Sequence, residues 1–359
     1  MVKYIIRRLV QAIPTFFGIT LLSYLLMAGT PGGPVAALAF GAGAQNPRQV
    51  ERLKAQLGVN DPIHIQYLRW LLGDDWMRWD SDGDGVADSA VLIPLDADGD
   101  GEPEPPGERR GILRGDFGRS FVFRRPAVDI LIERLPATLE LGIASLVIGA
   151  TIGVIIGILA AVNHKRLFDH FTRIAAVIFD AVPNFWLALV LLLFFGSILQ
   201  VLPLGGRCKT TLSDTCPPLH DRLEYLILPT FVIATGIIAT YSRFARASML
   251  DVVSQDYMRT ARAKGLSNRV IWFRHGARNA LIPIATFIGP AITFILSGAV
   301  ITESIFSWPG VGRTVVNAVT GRDYPIVMAV VIYSAIATIL GFLLSDILYV
   351  IIDPRIRLD

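Results

Sequence analysis

The sequence predicts an all-α polytopic membrane protein with six transmembrane helices and a long extracytoplasmic segment after the first. Three observations carry this. Hydrophobic residues make up 53% of the 359 residues and charged residues only 18%, values that a soluble domain of this length seldom reaches. Six apolar runs come close to, or exceed, the roughly 20 residues a helix needs to cross about 30 Å of hydrocarbon. The basic residues gather in alternate connections between those runs, as they do in cytoplasmic loops.

The first run, about Leu9 to Ala28, follows Lys3, Arg7 and Arg8. Such flanks also precede a secretory signal, but a cleaved signal has an apolar core of only about 7 to 15 residues. Residues 1–28 are therefore read as a retained helix. Five further runs follow, at about Pro136 to Val162, Phe171 to Val201, Tyr225 to Tyr241, Ala280 to Thr302 and Pro325 to Ile352. Six spans put both termini on one side, and Lys3, Arg7, Arg8, Arg355 and Arg357 make that side the cytoplasm. The connection holding Lys165, Arg166 and Arg173 falls there too, as does a basic loop over residues 243–279. The expected organisation is thus a first helix (1–28), an extracytoplasmic segment (29–135) and a five-helix core (136–359).

Within the extracytoplasmic segment, Asn46-Pro47 and Asp61-Pro62 read as helix starts and Gly58 as a stop between them. Apolar Ile63, Ile65, Tyr67, Leu68, Leu71 and Leu72 point to packing on the membrane domain or its interface. Residues 74–110 differ sharply in composition, being rich in aspartate, glycine and proline. They hold two related strings, Asp80 to Asp88 and Asp96 to Glu104. In each, carboxylates occupy positions 1, 3, 5 and 9 (Asp80, Asp82, Asp84, Asp88; Asp96, Asp98, Asp100, Glu104) with glycine at 6. Position 7, Val86 or Glu102, would offer a backbone carbonyl. This is the first part of an EF-hand calcium loop. Position 12 is Val91 or Gly107, so the bidentate glutamate is missing, and the match is to a truncated loop that binds structural Ca²⁺. A solvated acidic loop is the alternative.

Only two cysteines occur, Cys208 and Cys216, in the connection after the third run. They argue against a haem or iron-sulfur centre. An outside location permits a disulfide between them, with two free thiols as the alternative. A zinc site with His220 would lack a fourth ligand. The dipeptide Gly-Lys is absent, which removes the phosphate-binding loop of the common nucleotide hydrolases, so nucleotide chemistry must belong to a partner chain.

Three features inside the membrane core invite a role. Gly149, Gly153 and Gly157 recur every four residues along one helix face, a stripe that permits close helix approach, either for packing within the subunit or between moving parts. Asp180 lies inside the third run just before Pro183. A carboxylate there costs about 2.5 to 3.5 kcal/mol at a helix centre, so it either lines a pathway or pairs with backbone groups freed beside the proline. Glu303, Asp346 and Asp353 fall nearer to span ends. A carrier coupled to an ion gradient would be expected to offer more than one carboxylate at mid-membrane.

The stretch from Asp256 to Pro283 is the most distinctive. It carries Arg259, Arg262, Lys264, Arg269, Arg274 and Arg278, with Gly265 near its middle. Small Ala261 and Ala263 would let a short helix settle into a groove, Gly265 would let the chain turn, and the basic residues could pair with acidic groups on a partner. Composition alone supports no more than a basic loop on the cytoplasmic side.

Several separated strings, taken together, resemble the permease subunits of dipeptide and oligopeptide ABC importers. They are LGVNDPIHIQYLRWL (57–71), GDFGRSF (115–121), RTARAKGL (259–266), ESIFSWPGVG (303–312), GRDYP (321–325) and IIDPRIRL (351–358). The resemblance covers nearly the whole chain outside residues 74–110. It implies a type I ABC importer fold in a bacterial or archaeal inner membrane, a second permease subunit, two cytoplasmic ATPases and an external substrate-binding protein, with no catalysis by this chain. It also implies that Asp256, Tyr257, Arg259, Thr260, Ala261, Arg262, Ala263, Lys264 and Gly265 belong to the "EAA" coupling loop that docks on an ATPase. The general consensus is only partly met, since Arg259 stands where glutamate would and Thr260 replaces the first alanine. Peptides are the implied cargo, with nickel or another small solute as an alternative. An ion-coupled carrier and a calcium-responsive sensor are the competing classes.

Overall fold

The computed structural model describes residues 2–30, 62–73, 78–79, 88–91, 110–209, 216–281, 284 and 287–352. These residues are mostly helical. The helices are α1 (Val2–Ala28), α2 (Ile63–Leu72), α3 (Ala127–Val162), α4 (Leu167–Ala181), α5 (Asn184–Leu191) and α6 (Leu223–Val253). They continue as α7 (Asp256–Ala263), α8 (Ala277–Ala280), α9 (Ile288–Ser297), α10 (Val300–Ile305), α11 (Val311–Thr320) and α12 (Tyr324–Ile352). One small antiparallel ladder joins β1 (Arg78–Trp79) to β2 (Asp88–Val91).

Four helical segments are long and apolar enough to cross a membrane: Ile6–Ala28, Ala127–Val162, Leu219–Val253 and Tyr324–Ser345. A fifth candidate is a bent pair, Leu167–Ala181 and Asn184–Ile198, whose axes differ by 94°. The third apolar run is thus not one straight helix. Proline disfavours helical backbone in the residue before it, and Val182, preceding Pro183, is extended at φ −75° and ψ 121°. The fifth expected run, Ala280 to Thr302, is also interrupted, because Gly298 adopts φ +80° between α9 and α10.

Two other boundaries move outward. Helix α3 begins at Ala127 rather than Pro136, and its 36 residues carry Pro136 internally. Asp129 in the first turn favours that earlier start through the helix dipole. Helix α6 runs on past Tyr241 to Val253, so Arg243 and Arg246 lie on a helix and the loop expected over 243–279 begins only after Val253.

The chain divides into two compact units, one of residues 1–11, 134–314 and 336–359, the other of residues 12–133 and 315–335. In the second unit α2 packs on α1, as its apolar pattern predicted. Tyr24 meets Trp70 and Tyr67 with ring centres 5.2 and 5.7 Å apart, and Thr20 Oγ1 lies 2.9 Å from the Tyr67 hydroxyl. The same unit joins two of the recognisable strings, for Asp323 is fully buried and accepts from Ser120 Oγ at 2.5 Å and Phe121 N at 3.1 Å.

In the first unit the glycine stripe of α3 lies directly against α6. A Cβ added at Gly149 would stand 2.8 Å from Ile237, at Gly153 2.9 Å from Tyr241, and at Gly157 2.5 Å from the Ser242 carbonyl. The stripe therefore serves packing inside the subunit, where small residues let helices approach closely in lipid.

A candidate coupling site on the basic segment

The basic segment is built as a short amphipathic element hung from the end of α6. After Val253 the chain turns through Ser254 and Gln255, and α7 starts with Asp256 in its first turn, where a carboxylate suits the helix dipole. Within α7, Met258 is fully buried and Ala261 is 6% exposed. With Ile271 they form a small core that Val252 and Val253 complete. Lys264 ends the helix, Gly265 follows at φ +72°, and the chain continues to a π-helical turn over Val270–Gly276. Gly276 packs closely there, since a Cβ would lie 2.7 Å from the Met249 methyl and that side chain would have to shift.

This geometry corrects one role expected from the sequence. Ala261 cannot present itself to a partner's groove, because it lies three residues from Met258 on the inner face and packs within the chain. Asp256, Tyr257, Arg259, Thr260, Arg262, Ala263, Lys264 and Gly265 are all exposed. Gly265 needs its left-handed backbone rather than room, as nothing lies within 4 Å of an added Cβ. The outer surface of α7 therefore combines one acidic and several basic groups with Tyr257. Asp256 and Arg259 approach to only 3.6 Å while 96% and 73% exposed, which leaves both well solvated.

A feature the sequence reading missed fixes α6 just ahead of this segment. Asp169, 1% exposed, accepts from Arg246 Nε at 2.5 Å and Nη2 at 2.8 Å. The Lys165 N–H adds a bond at 3.0 Å, and His164 Nδ1 lies 3.5 Å from the carboxylate. The pair ties the start of α4 to α6 seven residues before α6 ends. Its signal in the sequence was only a pair of opposite charges 77 residues apart.

Asp180, the pathway candidate, forms an ion pair with Arg243 at 2.9 Å, and the two side chains are 47% and 43% exposed. It pairs with a side chain, therefore, and not with backbone freed at the Pro183 break. Cys208 and Cys216 are joined by a disulfide with their Cα atoms 5.7 Å apart. Beside it Glu140 accepts from Arg207 and Arg222, and Arg222 also donates to the Pro217 carbonyl at 2.9 Å. Asp80, Asp82, Asp84, Val86, Asp96, Asp98, Asp100, Glu102 and Glu104 lie outside the described residues; Asp88 opens β2, and its side chain is likewise outside them. No group of three or more potential metal-ligating side chains occurs among the described residues.

Long apolar helices and an amphipathic basic helix hung from one of them define a multi-pass membrane protein. Comparison with known proteins gives the family. Residues 153–358 match the binding-protein-dependent transport system inner membrane component, and residues 1–79 match the N-terminal region of such components. The chain belongs to this family. It is 36% identical over 358 residues to the oligopeptide transport system permease protein AppB of Bacillus subtilis, covering 99% of this chain and 100% of that one. It is 34% identical over 375 residues to the dipeptide transport system permease protein DppB of Escherichia coli, covering 99% of each. It is also 34% identical over 358 residues to the glutathione transport system permease protein GsiC of Escherichia coli, again covering 99% of each. The resemblance to peptide-importer permeases carried by the separated sequence strings is borne out over the full length.

Proposed function

We propose that this chain is one permease subunit of an ATP-driven importer for dipeptides or short oligopeptides. It would work with a second permease, two cytoplasmic ATPases and an external substrate-binding protein, in a type I ABC importer arrangement of six spans with both termini cytoplasmic. The observation that carries the coupling role is the construction of α7. Its inner face is fastened to the chain through Met258, Ala261 and Ile271, while its basic outer face is exposed immediately beyond the end of a long membrane helix. Such an element can be pushed by a partner and can pass that displacement to α6. The lack of a phosphate-binding loop in the chain supports hydrolysis on another subunit. The peptide cargo is supported by relatives named for oligopeptide, dipeptide and glutathione transport. The exposed Asp180–Arg243 pair is the candidate for the wall of the pathway, since charged groups in a membrane segment face protein or water rather than lipid.

Vesicles containing both permeases, the ATPases and the binding protein should accumulate a labelled dipeptide only when ATP is supplied. Uptake driven by a proton or sodium gradient without the ATPases would instead define a secondary carrier. Uptake of nickel in preference to peptide would replace the cargo and keep the machinery.

The aspartate-rich residues 74–110 have a reading of their own, as structural calcium loops. It is supported by the two-fold repetition of the 1, 3, 5, 9 carboxylate spacing and by the β1–β2 ladder that brackets the first repeat. Calorimetry on the whole protein should detect calcium uptake with a dissociation constant of about 10⁻⁴ to 10⁻³ M. An absence of heat at several millimolar calcium would rule it out.

A further inference from the structure

Glu303 is the most completely buried carboxylate among the described residues of its unit, with no solvent exposure, and the coupling role described above does not use it. It sits in α10, and its carboxylate is surrounded by donors from elsewhere in the chain. Thr138 Oγ1 on α3 donates to Oε1 at 3.0 Å and the Arg313 N–H donates to Oε2 at 3.0 Å, while the Gly312 N–H also faces it. Successive backbone N–H groups turned inward in this way form a concave anion site. Here the chain's own carboxyl group occupies it.

The backbone is shaped around that carboxylate. A Cβ at Gly310 would lie 2.4 Å from Oε2, one at Gly312 2.9 Å from Oε2, and one at Gly298, where φ is +80°, 3.1 Å from Oε1. Two further bonds close the same joint: the Val311 N–H donates to Thr138 Oγ1 at 2.8 Å and Trp308 Nε1 donates to the Ala137 carbonyl at 2.8 Å. Trp308 and Val311 are themselves fully buried.

We propose that Glu303 is a positioning residue of the transport cycle, whose carboxylate fastens the turn at residues 303–313 to the first half of α3, and that this joint must stay closed for hydrolysis to drive uptake. The inference rests on the importer reading above. Its physical basis is a continuous packed route inside one unit. The coupling helix α7 is fixed to α6, α6 is locked to α3 by Gly149, Gly153 and Gly157, and α3 carries Thr138 and Ala137. A displacement delivered at α7 reaches the 303–313 turn through α3 by this joint, beside the direct packing of Phe306 and Trp308 on α6. Packing alone shows contiguity and not coupling, so the test reads coupling directly.

The complete transporter is assembled in vesicles with binding protein, and peptide uptake and ATP hydrolysis are both measured. Glu303→Gln should keep ATPase assembly and peptide-free hydrolysis within twofold of the unaltered transporter and lower uptake per ATP severalfold, because an NH₂ group replaces one of the two accepting oxygens and the Thr138 hydroxyl can no longer donate there. A cysteine pair, Thr138→Cys with Val311→Cys, added to Glu303→Gln and oxidised, should restore at least half of the uptake, whereas either single cysteine should not. The bond lengths spanning Thr138 Oγ1 and Val311 N keep those Cα atoms within about 7 Å, the outer limit for a disulfide. Unchanged uptake per ATP in Glu303→Gln overturns the proposal, and so does a defect that persists once mass spectrometry confirms the cross-link, which is the outcome for a proton-carrying carboxylate. Should Glu303→Gln not assemble, Thr138→Val must lower uptake per ATP severalfold where Thr138→Ser does not, and equal behaviour of the two overturns it. Failure of the unaltered transporter to take up peptide would count against the importer reading, and the variants are compared with it in the same vesicles.

Discussion

Two short helices of the same unit, α7 and α10, place their charge in opposite ways. Helix α7 buries only Met258 and Ala261 and leaves Asp256, Arg259 and Arg262 in solvent. Helix α10 buries Glu303 completely, with Phe306 and Trp308 beside it almost entirely shielded. An exposed charge is cheap to keep and available to a partner, whereas a buried one is tolerated only when donors satisfy it. The first pattern leaves charge at the surface, and the second encloses it among donors.

The comparison can be broken most forcefully at the ion pair that holds α6 seven residues before its end. Arg246→Ala leaves the buried Asp169 with only the Lys165 N–H and nearby His164, and the expected loss of stability is about 1.5–3 kcal/mol, read as a drop in Tm of the purified transporter. Asp169→Asn combined with Arg246→Ala should recover part of it. A loss below about 1 kcal/mol would mean that water reaches Asp169 despite its 1% exposure.

The two glycines sharpen it further, because they differ in the reason for being glycine. Gly310→Ala would bring a methyl group to 2.4 Å from the Glu303 carboxylate, and overpacking of this kind costs about 1–3 kcal/mol. Gly265→Ala meets no neighbour and suffers only from its left-handed φ, at about 1–2 kcal/mol. Gly265→Leu should likewise lower stability only modestly while impairing ATPase assembly and peptide-stimulated hydrolysis. Normal assembly and normal stimulated hydrolysis in Gly265→Leu would contradict the coupling role of the segment.

The smallest effect on the fold is expected at Arg259. Its contact with Asp256 is long and well solvated, so Arg259→Ala should leave Tm unchanged within error. Copurification of the ATPase should nonetheless weaken severalfold at low salt and converge with the unaltered protein at high salt. Equal weakening at all salt concentrations would argue against a charge-based contact.

Much of this was legible in residues 1–359 because it depends on local composition. Apolar run length marked four of the six expected spans as single helices and a fifth as a bent pair, and the alternation of Lys and Arg between runs gave an orientation that the importer reading adopts. What remained hidden lay in contacts between distant positions. The bend at Pro183 was visible as a proline but not as a change of direction of 94°. The inward turn of Ala261 depends on Ile271 and Val252 packing beneath it, which no spacing within RTARAKGL reveals. Glu303 looked like a carboxylate at a span end because its donors, Thr138 and Arg313, lie 165 and 10 residues away.

The sequence by itself determined that this chain lives in a membrane, that it carries a basic helix able to meet a partner, and which family it resembles. These follow from hydrophobicity, charge placement and ordered motifs, all read along the chain. Only the tertiary structure decided which of the charged groups are spent inside the protein. Whether a carboxylate is solvated or enclosed depends on donors brought together across the fold, and a linear pattern carries no distance between them.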